Sequence, residues 1–584
     1  MNTNTNTNTN TNTNTTTPLV TQSITNFPVD IFPVLITTAI SYTNGKPHIG
    51  HLYESVLADF IKNIFIILDH PTKLLTGTDE HGKKIQETAN AEHVDPINIC
   101  DKYSDLFKLM DKKIGMNYDH FIRTTDIEHK QFVINSIIKS MEQNDIYLDQ
   151  YEGWYDIKEE TFISETVAKK NNYTNPLTGK PYERVTEESY MFKLQKYESL
   201  IRNLLNSNEW IIPNSYAEEI KKRIEVDSDQ TEQTEQTEQT NSGKKDGVLD
   251  LSITRTTFNW GIPFPCIENS TDLKTEKSHI IYVWFDALLN YITGRNILYN
   301  NQFANTTQLT NTTQLTNTTQ LTNTTQPLTY HLIGKDIIWF HSVIYPAILQ
   351  SIREPLPNSI LVHGFVLDEK GLKMSKSLGN VVDVEWLINS YSVEAIRYYL
   401  INETIFGSDI LFSTINLVNT YNNILVKNFG NLWQRMYNLL RPITEELNEW
   451  INQNQLTIHE FKTNIYAQLS EFKTNFDFTL HKNLYNKLLN HANKELTEKK
   501  PWTMTDMKEK VKVFSDVLMN FNCACGLMYP IIPSKITSLI HYFGWTLEHI
   551  KLTNTQINFV FTSNEKKIIA FDKISSVYTL EDLK

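Results

Sequence analysis

The feature that most constrains the fold is a strand–helix–strand pattern near the start of the folded part of the chain. Residues 31–39 are rich in Val, Ile and Thr and predict a buried strand, and Asn44 and Gly45 predict the turn after it. Pro47 suits the first position of the following helix, in which apolar residues recur at i, i+3 and i+4. A second strand is predicted over residues 73–78. This order predicts a parallel α/β sheet, whose ligands lie beyond the carboxyl ends of the strands.

The later part of the chain has a different pattern. From about residue 411 the strand signals fade, and long periodic apolar runs, such as the one that includes Ile424, Leu425 and Phe429, predict a helical bundle. At 584 residues the chain is too long for one ordinary core, so we expect several domains. No apolar run reaches the ~18 residues that a membrane-spanning helix needs.

Three segments have low complexity. Residues 2–14 alternate Asn and Thr, and no Lys or Arg precedes Lys46, so the start of the chain predicts disorder and differs from an Arg-rich transit peptide. A Thr-Glu-Gln repeat occupies residues 231–239, and four copies of Asn-Thr-Thr-Gln fall within residues 305–326. Both repeats are too short in period and too polar for a core, so we interpret them as solvated loops.

Cysteine content and charge exclude some classes of protein. Four cysteines (Cys100, Cys266, Cys523, Cys525) are too few for a disulfide framework, which indicates a reducing compartment. Cys523 and Cys525 are predicted to lie in a helix core and not to bind metal. The net charge of −13 argues against broad, sequence-independent binding of nucleic acid, so any RNA site needs a local basic face.

The tetrapeptide HIGH occupies residues 48–51, where the first strand gives way to the helix. His48 and His51 therefore lie one turn apart at the positive end of a helix dipole, which is a geometry suited to phosphate. Gly50 has no side chain, so a base or ribose can approach the backbone there. Two capping or surface histidines are the alternative interpretation.

A second signature, KMSKS, occupies residues 373–377 between Gly371 and Gly379. This places two ammonium groups, those of Lys373 and Lys376, on one flexible loop that can close on a polyphosphate. Lysines that meet the phosphates as the reaction proceeds stabilise developing charge and so lower the barrier. A solvated basic turn is the alternative when the motif is taken alone.

Together and in this order, the two signatures are identified with the HIGH and KMSKS motifs of class I aminoacyl-tRNA synthetases, which they match letter for letter. Longer segments resemble the methionine-specific family, namely LTGTDEHG at 75–82, YVWFDA at 282–287 and HLIGKDI at 331–337. The resemblance runs from about residue 31 to about 502, interrupted by the low-complexity segments.

The resemblance implies an enzyme that activates L-methionine with ATP to methionyl-adenylate and pyrophosphate. It then transfers the methionyl group to the 3′-terminal adenosine of tRNA(Met) for protein synthesis. The methionine carboxylate itself attacks the α-phosphate, so the enzyme contributes positioning and charge stabilisation rather than a nucleophile. Mg²⁺ accompanies ATP, and the implied partners are methionine, ATP and tRNA(Met). A monomer is expected, because the chain has no counterpart of the C-terminal dimerisation module of some relatives.

The resemblance also carries site residues over to this chain. The catalytic and ATP-binding positions are His48, Gly50, His51, Lys373 and Lys376. The positions for methionine, with Asp79 pairing with its ammonium group, are Ile40, Tyr42, Asp79, Trp284, Ala287, Tyr291, Ile337 and His341. A thioether gains from aromatic contact and fills an irregular apolar pocket. Leu288 stands where the family usually has Pro, and each aromatic could instead be a core residue.

For the anticodon, the resemblance implies Asn431, Arg435 and Trp502. Asn431 and Arg435 lie at i and i+4 on one helix face, and Trp502 follows Pro501 at a predicted helix start. Splayed RNA bases stack on aromatic rings or guanidinium planes and offer their edges to amide and Arg donors. The alternative is a buried Trp with a surface polar pair.

The predicted fold class is α/β, a Rossmann-like parallel-sheet catalytic domain with an inserted connective domain, followed by an all-α helical-bundle anticodon-binding domain. The predicted limits are a disordered leader 1–30, a first catalytic half 31–150, a connective insertion 151–255 with a low-complexity loop 228–246, a second catalytic half 256–370 with a low-complexity loop 301–327, a mobile loop and stem-contact region 371–410, and a helical region 411–584.

Many relatives carry a Cys-rich zinc knuckle in the insertion. Residues 155–160 and 175–180 occupy the places of its two Cys pairs and contain no soft ligand, so no zinc is predicted and the chain resembles the zinc-free bacterial and organellar branch. A bacterial-type core beside Asn-rich repeats suggests an organellar enzyme, whereas the leader lacks basic residues. We expect the mitochondrial matrix, with the cytoplasm as the alternative.

Two other interpretations were weighed. A class I synthetase for leucine, isoleucine, valine or cysteine is one, but residues 152–255 are too few for the long editing domain of the large aliphatic enzymes. A non-catalytic tRNA-binding protein is the other. It would be expected to lose His48, His51 or Lys376 while keeping the anticodon residues, and all of these are present.

Overall fold

The computed structural model describes residues 31–156, 161–163, 165–176, 179–229, 248–265, 277–299, 326–374, 379–563 and 569–575. All of them lie within Ile31–Lys584, which forms one compact unit. The predicted leader and the repeats at 231–239 and 305–325 lie outside the described residues, as do Lys376 and Cys266.

Strands and helices are numbered along the chain. The strands are β1 Val34–Thr38, β2 Ser41–Tyr42, β3 Thr72–Asp79, β4 His120–Arg123, β5 Ile146–Asp156, β6 Thr161–Ile163, β7 Glu183–Phe192, β8 Ile211–Ile212, β9 Leu251–Ser252, β10 Thr254–Arg255, β11 Ile280–Ile281, β12 Leu328–Gly334, β13 Ser359–His363, β14 Val366–Leu367 and β15 Ile410–Leu411. The helices up to the KMSKS loop are α1 Ile49–Ile67, α2 Lys83–Glu92, α3 Pro96–Ile114, α4 Ile127–Glu142, α5 Glu165–Lys170, α6 Glu198–Leu205, α7 Ser215–Asp229, α8 Val283–Leu288, α9 Asn290–Leu298 and α10 Tyr345–Ile352. Those after it are α11 Val384–Ser390, α12 Val393–Glu403, α13 Thr414–Thr420, α14 Asn431–Leu439, α15 Thr444–Gln453, α16 Gln455–Ser470, α17 Phe472–Asn475, α18 Phe478–Lys499, α19 Met507–Met528, α20 Pro533–His541 and α21 Leu547–Ile550.

The main sheet is parallel. Its order is β2-β3-β1-β12-β13-β8, with β4 also paired with β3. From β1 the chain moves outward to β3 and β4, and it later returns to the other side of β1 as β12 and β13. The strand order therefore switches direction between β1 and β12, which opens a crevice at their carboxyl ends where α/β proteins bind ligands.

The sequence explains why β1 and α1 sit at the centre. All five residues of β1 are buried, as expected of a parallel strand covered on both faces. Helix α1 is buried along most of its length because it packs on the sheet and also on the helical region. The Phe60 ring stacks on Phe478 with 4.9 Å between ring centres. The predicted fold class is confirmed, since the parallel sheet is followed by a long series of helices.

The predicted connective insertion contains a separate antiparallel sheet in the order β6-β5-β7-β9. Its chain is nevertheless tied to the main sheet, because β8 pairs with β13 and Trp210 is buried in the same apolar cluster as Tyr291 and Ile348. The limits proposed for the domains from the sequence stay predictions.

A buried ion pair joins α1 to α12, and the same guanidinium hydrogen-bonds to the helical region. The Arg397 guanidinium, on α12, donates from Nη2 to Asp59 Oδ2 on α1 at 2.5 Å and from Nε to the Ile531 carbonyl at 2.6 Å. Both side chains are almost inaccessible to solvent. Breaking a buried pair leaves an uncompensated charge, so this contact couples the two parts of the molecule.

Local expectations had mixed outcomes. Helix α1 begins at Ile49 with His48 as its N-cap, so the prediction that Pro47 occupies the first helical position was wrong. The reason is that the His48 ring itself caps the helix.

Cys523 and Cys525 are fully buried in α19, as predicted, and burial raises the pKa of the Cys523 thiol to about 11. Among the described helices, none has the length and apolar character needed to cross a membrane.

Candidate active site

The HIGH residues form a compact cap on α1. The Gly50 N–H donates to His48 Nδ1 and the His48 N–H donates to His51 Nδ1, each at 3.1 Å. The two rings stack with 3.7 Å between their centres. Because both Nδ1 atoms accept a backbone N–H, each neutral ring carries its proton on Nε2. The two Nε2–H groups are thus available to donate to phosphate oxygens at the positive end of the helix.

Electrostatics favour the neutral rings. Burial is the largest cause that lowers the pKa of His48, and the nearby Lys373 charge lowers it further, while Asp336 raises it. Burial and then the His48 charge hold the pKa of His51 well below its usual value. The charges of Lys373 and Asp336 thus act on His48, so the two signature motifs lie within electrostatic reach of each other.

Gly50 is needed by the cap itself. A Cβ at this position would lie 2.9 Å from His48 Cε1, which is closer than side-chain atoms approach one another. From the sequence, Gly50 is predicted to let a base or ribose approach the backbone. The structure adds a different constraint, because a side chain here would displace the His48 ring that caps α1.

The stem of the KMSKS loop is held by Asp368. This carboxylate accepts the N–H groups of Lys370 and Leu372 at 2.9 and 2.8 Å and the Asn380 amide at 2.8 Å. Lys373 forms a β-bridge with Leu367 and is exposed. The loop therefore leaves a fixed stem directly above the crevice. Lys376, the other predicted loop lysine, lies outside the described residues.

Three of the predicted methionine residues are linked by hydrogen bonds beside β12. The Tyr291 hydroxyl is 2.7 Å from His341 Nε2, and His341 Nδ1 is 3.0 Å from the Ile337 carbonyl. Nδ1 must donate to that carbonyl, so Nε2 accepts from Tyr291. Burial lowers the pKa of His341 to about 4, which keeps the ring neutral. Tyr291 also stacks on His331 with 4.1 Å between ring centres.

Helix α8 supplies two more pocket residues. Trp284 is half-buried and stacks on Phe340 with 3.7 Å between ring centres, while Ala287 is buried one turn later. Trp284 packs against the cluster that contains Tyr291. An aromatic wall beside a small alanine leaves space for a flexible unbranched side chain.

The remaining methionine positions follow β1 and β3. Tyr42 and Asp79 are register partners at the carboxyl ends of β2 and β3. Ile40 and Tyr42 each pack on an apolar cluster other than that of Tyr291. These three residues thus lie at or just beyond the carboxyl ends of β1, β2 and β3.

Sequence reasoning missed the support of the TDEHG loop by Glu80. Its carboxylate accepts from Thr78 Oγ1 and Arg123 Nε, both at 2.6 Å, and from Thr125 Oγ1. Its carbonyl accepts the Trp260 indole N–H at 2.6 Å. Glu80 is fully buried, so the residue beside Asp79 is an anchor for the loop.

Asp286 was also missed. Its two carboxylate oxygens face His81 Nδ1 at 2.6 Å and His129 Nε2 at 2.8 Å. Burial alone would raise the pKa of Asp286. The charges and hydrogen bonds of the two histidines together outweigh burial, so the pKa lies below its usual value. The carboxylate thus ties the loop after Asp79 to α8, which carries Trp284. An Asp inside YVWFDA was the available signal.

A third missed contact crosses the crevice. Glu54 on α1 accepts the Ala39 N–H at 2.7 Å and faces His363 Nε2 at 3.1 Å, while His363 Nδ1 faces the Gly364 carbonyl at 2.8 Å. Glu54 raises the pKa of His363 against the effect of burial. Both ring nitrogens lie within hydrogen-bond distance of an acceptor, so His363 and Glu54 link the ends of β1 and β13.

In the helical region the predicted anticodon residues share one open face. Trp502 is 45% exposed in the one-turn segment Pro501–Thr503, and the Arg435 guanidinium lies 5.8 Å from its ring centre. Asn431 is exposed at the start of α14, one turn before Arg435. Arg435 Nη1 also donates to Asn493 Oδ1 at 3.4 Å. The alternative of a buried Trp at this position was wrong.

Within the described residues, no group of three or more His, Cys, Asp or Glu side chains is arranged to hold a metal ion. The first predicted knuckle position, residues 155–160, is described only in part.

Comparisons with known proteins agree with this geometry. The family model of class I tRNA synthetases (M) matches residues 34–437. The methionine–tRNA ligase of Caldanaerobacter subterraneus is 34% identical over 88% of this chain and 74% of its own length. That of Rickettsia conorii is 32% identical over 87% of this chain and 92% of its own.

A solved structure gives the same result. The Mycobacterium tuberculosis methionyl-tRNA synthetase in complex with methionyl-adenylate superposes with a TM-score of 0.73 at 26% identity, covering 93% of this chain and all of that chain. The HIGH cap, the loop stem and the aromatic pocket lie where the strand order of the main sheet changes direction. This geometry and the comparisons together show that the chain belongs to the class I methionyl-tRNA synthetase family.

Proposed function

We propose that this protein activates L-methionine with ATP and transfers the methionyl group to the 3′-terminal adenosine of tRNA(Met). One observation carries the proposal: the HIGH cap and the Tyr291–His341 pocket open into the same crevice, at the ends of β1 and β12. An apolar pocket next to a phosphate-binding helix terminus suits an amino acid with a thioether side chain held beside a nucleotide.

The first step joins two anionic reactants. A methionine carboxylate oxygen attacks the α-phosphorus, the bond from that phosphorus to the bridging oxygen breaks, and the electron pair leaves with pyrophosphate. His48 and His51 donate from Nε2 to phosphate oxygens, and Lys373 and Lys376 offset the charge that develops on the leaving group. ATP enters as its Mg²⁺ complex, with the ion as part of the substrate.

Different residues bind the ammonium group and the side chain of the methionine substrate. Asp79 accepts the α-ammonium group in a charge-assisted hydrogen bond. Trp284, Ala287, Ile337 and Ile40 surround the side chain with Tyr42 at the mouth, while the Tyr291–His341 pair closes the far end. His341 Nδ1 donates to the Ile337 carbonyl and Nε2 accepts from Tyr291, so the neutral imidazole has no further N–H or lone pair to offer to an alcohol or amide side chain.

The second step requires tRNA at both ends of the molecule. The 2′-hydroxyl of the terminal adenosine attacks the activated carbonyl, and AMP leaves. We assign Asn431, Arg435 and Trp502 to the anticodon, because a guanidinium next to an exposed indole ring forms a stacking surface with hydrogen-bond donors.

The test is ATP–pyrophosphate exchange with each amino acid in turn, which needs no tRNA. Exchange with methionine alone is expected. Lys376→Ala is expected to abolish it, and Lys370→Ala is the matched control, because Lys370 is an exposed lysine on the same loop stem. Exchange with another amino acid would overturn the pocket assignment. No exchange in folded protein would favour the non-catalytic tRNA-binding alternative.

The compartment and the assembly complete the proposal. For the compartment we propose the mitochondrial matrix, because a bacterial-type core stands beside Asn-rich repeats in the sequence, with the cytoplasm as the alternative. Fluorescence of the full chain tagged at its C-terminus separates the two. We propose a zinc-free monomer, for which light scattering should give 67.9 kDa and elemental analysis should find no stoichiometric zinc.

A further inference from the structure

One aromatic ring gathers the two lysines nearest the phosphate end of the crevice. Phe365 follows β13, and its ring centre lies 4.6 Å from Lys335 Nζ and 4.3 Å from Lys373 Nζ. Lys335 comes directly after β12, and Lys373 is the first lysine of the KMSKS loop. The ring therefore contacts both the fixed edge of the sheet and the base of the loop.

The backbone that carries this ring is fixed at both ends. The Phe365 N–H donates to Asp409 Oδ1 at 2.7 Å, and its carbonyl accepts the Ile410 N–H at 2.9 Å. The preceding Gly364 packs so tightly that a Cβ there would lie 2.3 Å from the Ser408 carbonyl carbon. The backbone at Phe365 is thus held in place, whereas the exposed Lys373 lies beside the ring at the base of the loop.

The two lysines differ in what neutralises them. Lys335 Nζ lies 2.7 Å from Asp409 Oδ1, so its charge is compensated by a carboxylate. In the part of the chain that the structure describes, no carboxylate pairs with Lys373. Within the described residues the Lys373 ammonium thus lacks such compensation, and its charge acts on His48. Compensation of Lys335 also lets one ring accept a second ammonium group without strong repulsion.

We propose that Phe365 is a positioning residue whose ring holds the Lys373 ammonium beside the phosphate site and yields it to the polyphosphate as negative charge develops. The proposal rests on the proposed function. An aromatic face suits this task because it attracts an ammonium group more weakly than a charged oxygen does. A carboxylate in its place would retain the lysine and cancel its charge.

The test is methionine-dependent ATP–pyrophosphate exchange at varied ATP concentration. Phe365→Leu preserves apolar packing but removes the ring, and we expect kcat/KM for ATP to fall about two- to fivefold. Phe365→Tyr restores a ring face and should return kcat/KM to near the wild-type value. Phe406→Leu is the matched control, because Phe406 is a half-buried phenylalanine that stacks on Phe478 rather than under a lysine.

A double-mutant cycle separates positioning from a packing role. In a Lys373→Met background, Phe365→Leu should have little further effect, because Lys335, the other lysine on the ring, is held by Asp409 without it. An equal loss in both backgrounds, or no loss in Phe365→Leu alone, would overturn the proposal. Absence of methionine-dependent exchange in the wild type is a separate result, which would count against the proposed function instead.

Discussion

The two regions assigned to ligands are built in opposite ways. In the crevice, Tyr291 and His341 are each 2% exposed, their hydrogen bond orients the two rings, and the Ile337 carbonyl sets the His341 tautomer. On the helical face, Trp502 is 45% exposed and Arg435 is held by a 3.4 Å hydrogen bond and a ring contact. One site is assembled before its ligand arrives, and the other is left open.

The difference follows from what each ligand brings. Methionine and ATP are small, so binding energy must come from groups held in place in a low-dielectric environment, where unpaired polar atoms are costly. RNA bases bring their own stacking surfaces and unpaired edges, so an exposed ring and a partly restrained guanidinium suffice. Mutations should therefore act through buried networks in the crevice and through lost surface contacts on the helical face.

The largest expected effect breaks the link between the two regions. Asp59→Ala leaves Arg397 buried without a counter-charge, and we expect the free energy of unfolding to fall by about 3–5 kcal/mol. Urea denaturation measures it. Glu92→Gln, which removes the exposed pair with Lys102, is the control and should have no measurable effect. Equal stability of Asp59→Ala and wild type would mean that the buried pair does not couple the regions.

The next effect is confined to the crevice. Asp79→Ala removes the proposed partner of the substrate ammonium group, and we expect the KM for methionine to rise about 10- to 100-fold, from the loss of a charge-assisted hydrogen bond. The KM for ATP should stay within about twofold of wild type. Pyrophosphate exchange gives both constants. An unchanged KM for methionine would remove Asp79 from the site.

The pH dependence of stability sharpens the contrast between buried and exposed groups. The pKa of His341 is about 4 in the folded protein and about 6.5 when unfolded, so the unfolded state takes up the proton first. The stability from this group is complete above about pH 6.5 and is lost as pH falls toward 4. Between pH 7 and pH 5 it should cost about 2 kcal/mol.

His341→Gln tests this contribution, because glutamine does not titrate in that range. Urea unfolding of wild type and variant at pH 7 and pH 5 gives the difference in pH dependence. If the variant loses as much stability as the wild type between the two values, the titrating group is another one.

The smallest effect is on the open face. Trp502→Ala should lower kcat/KM for tRNA(Met) charging by about 5- to 50-fold, because one stacking surface is lost, and should leave pyrophosphate exchange unchanged. Trp450→Ala, a half-buried tryptophan on α15, is the control and should spare both activities. A parallel loss of exchange in Trp502→Ala would show that the variant acts through folding rather than through the anticodon.

Much of the fold could be predicted from patterns of residues that are close together in the sequence. The apolar run of β1, the 3.6-residue rhythm of α1 and the change to helices after residue 411 all depend on neighbours in sequence, and such signals predict elements well. The identity of the motif residues followed from their letters and order. The cap of α1 was not predicted in detail, because whether Pro47 or His48 starts the helix depends on where the His48 ring folds.

The contacts that hold the site residues in place could not be predicted from the sequence. Asp286 and His81 are 205 residues apart, and Glu54 and His363 are 309 apart. No periodicity links such positions, because their pairing arises only when parallel strands bring their carboxyl ends to one edge. Phe365 likewise looks like an ordinary apolar residue until the fold places two lysines over it.

The sequence by itself therefore determined which elements form, which chemistry is present and which family the chain resembles, since these depend on residue type and local spacing. Only the tertiary structure decided which charges are paired, which rings are neutral and which lysine is left uncompensated. Those properties depend on burial and on distances between segments remote in sequence, because the energy of a polar group is set by its surroundings rather than by its neighbours along the chain.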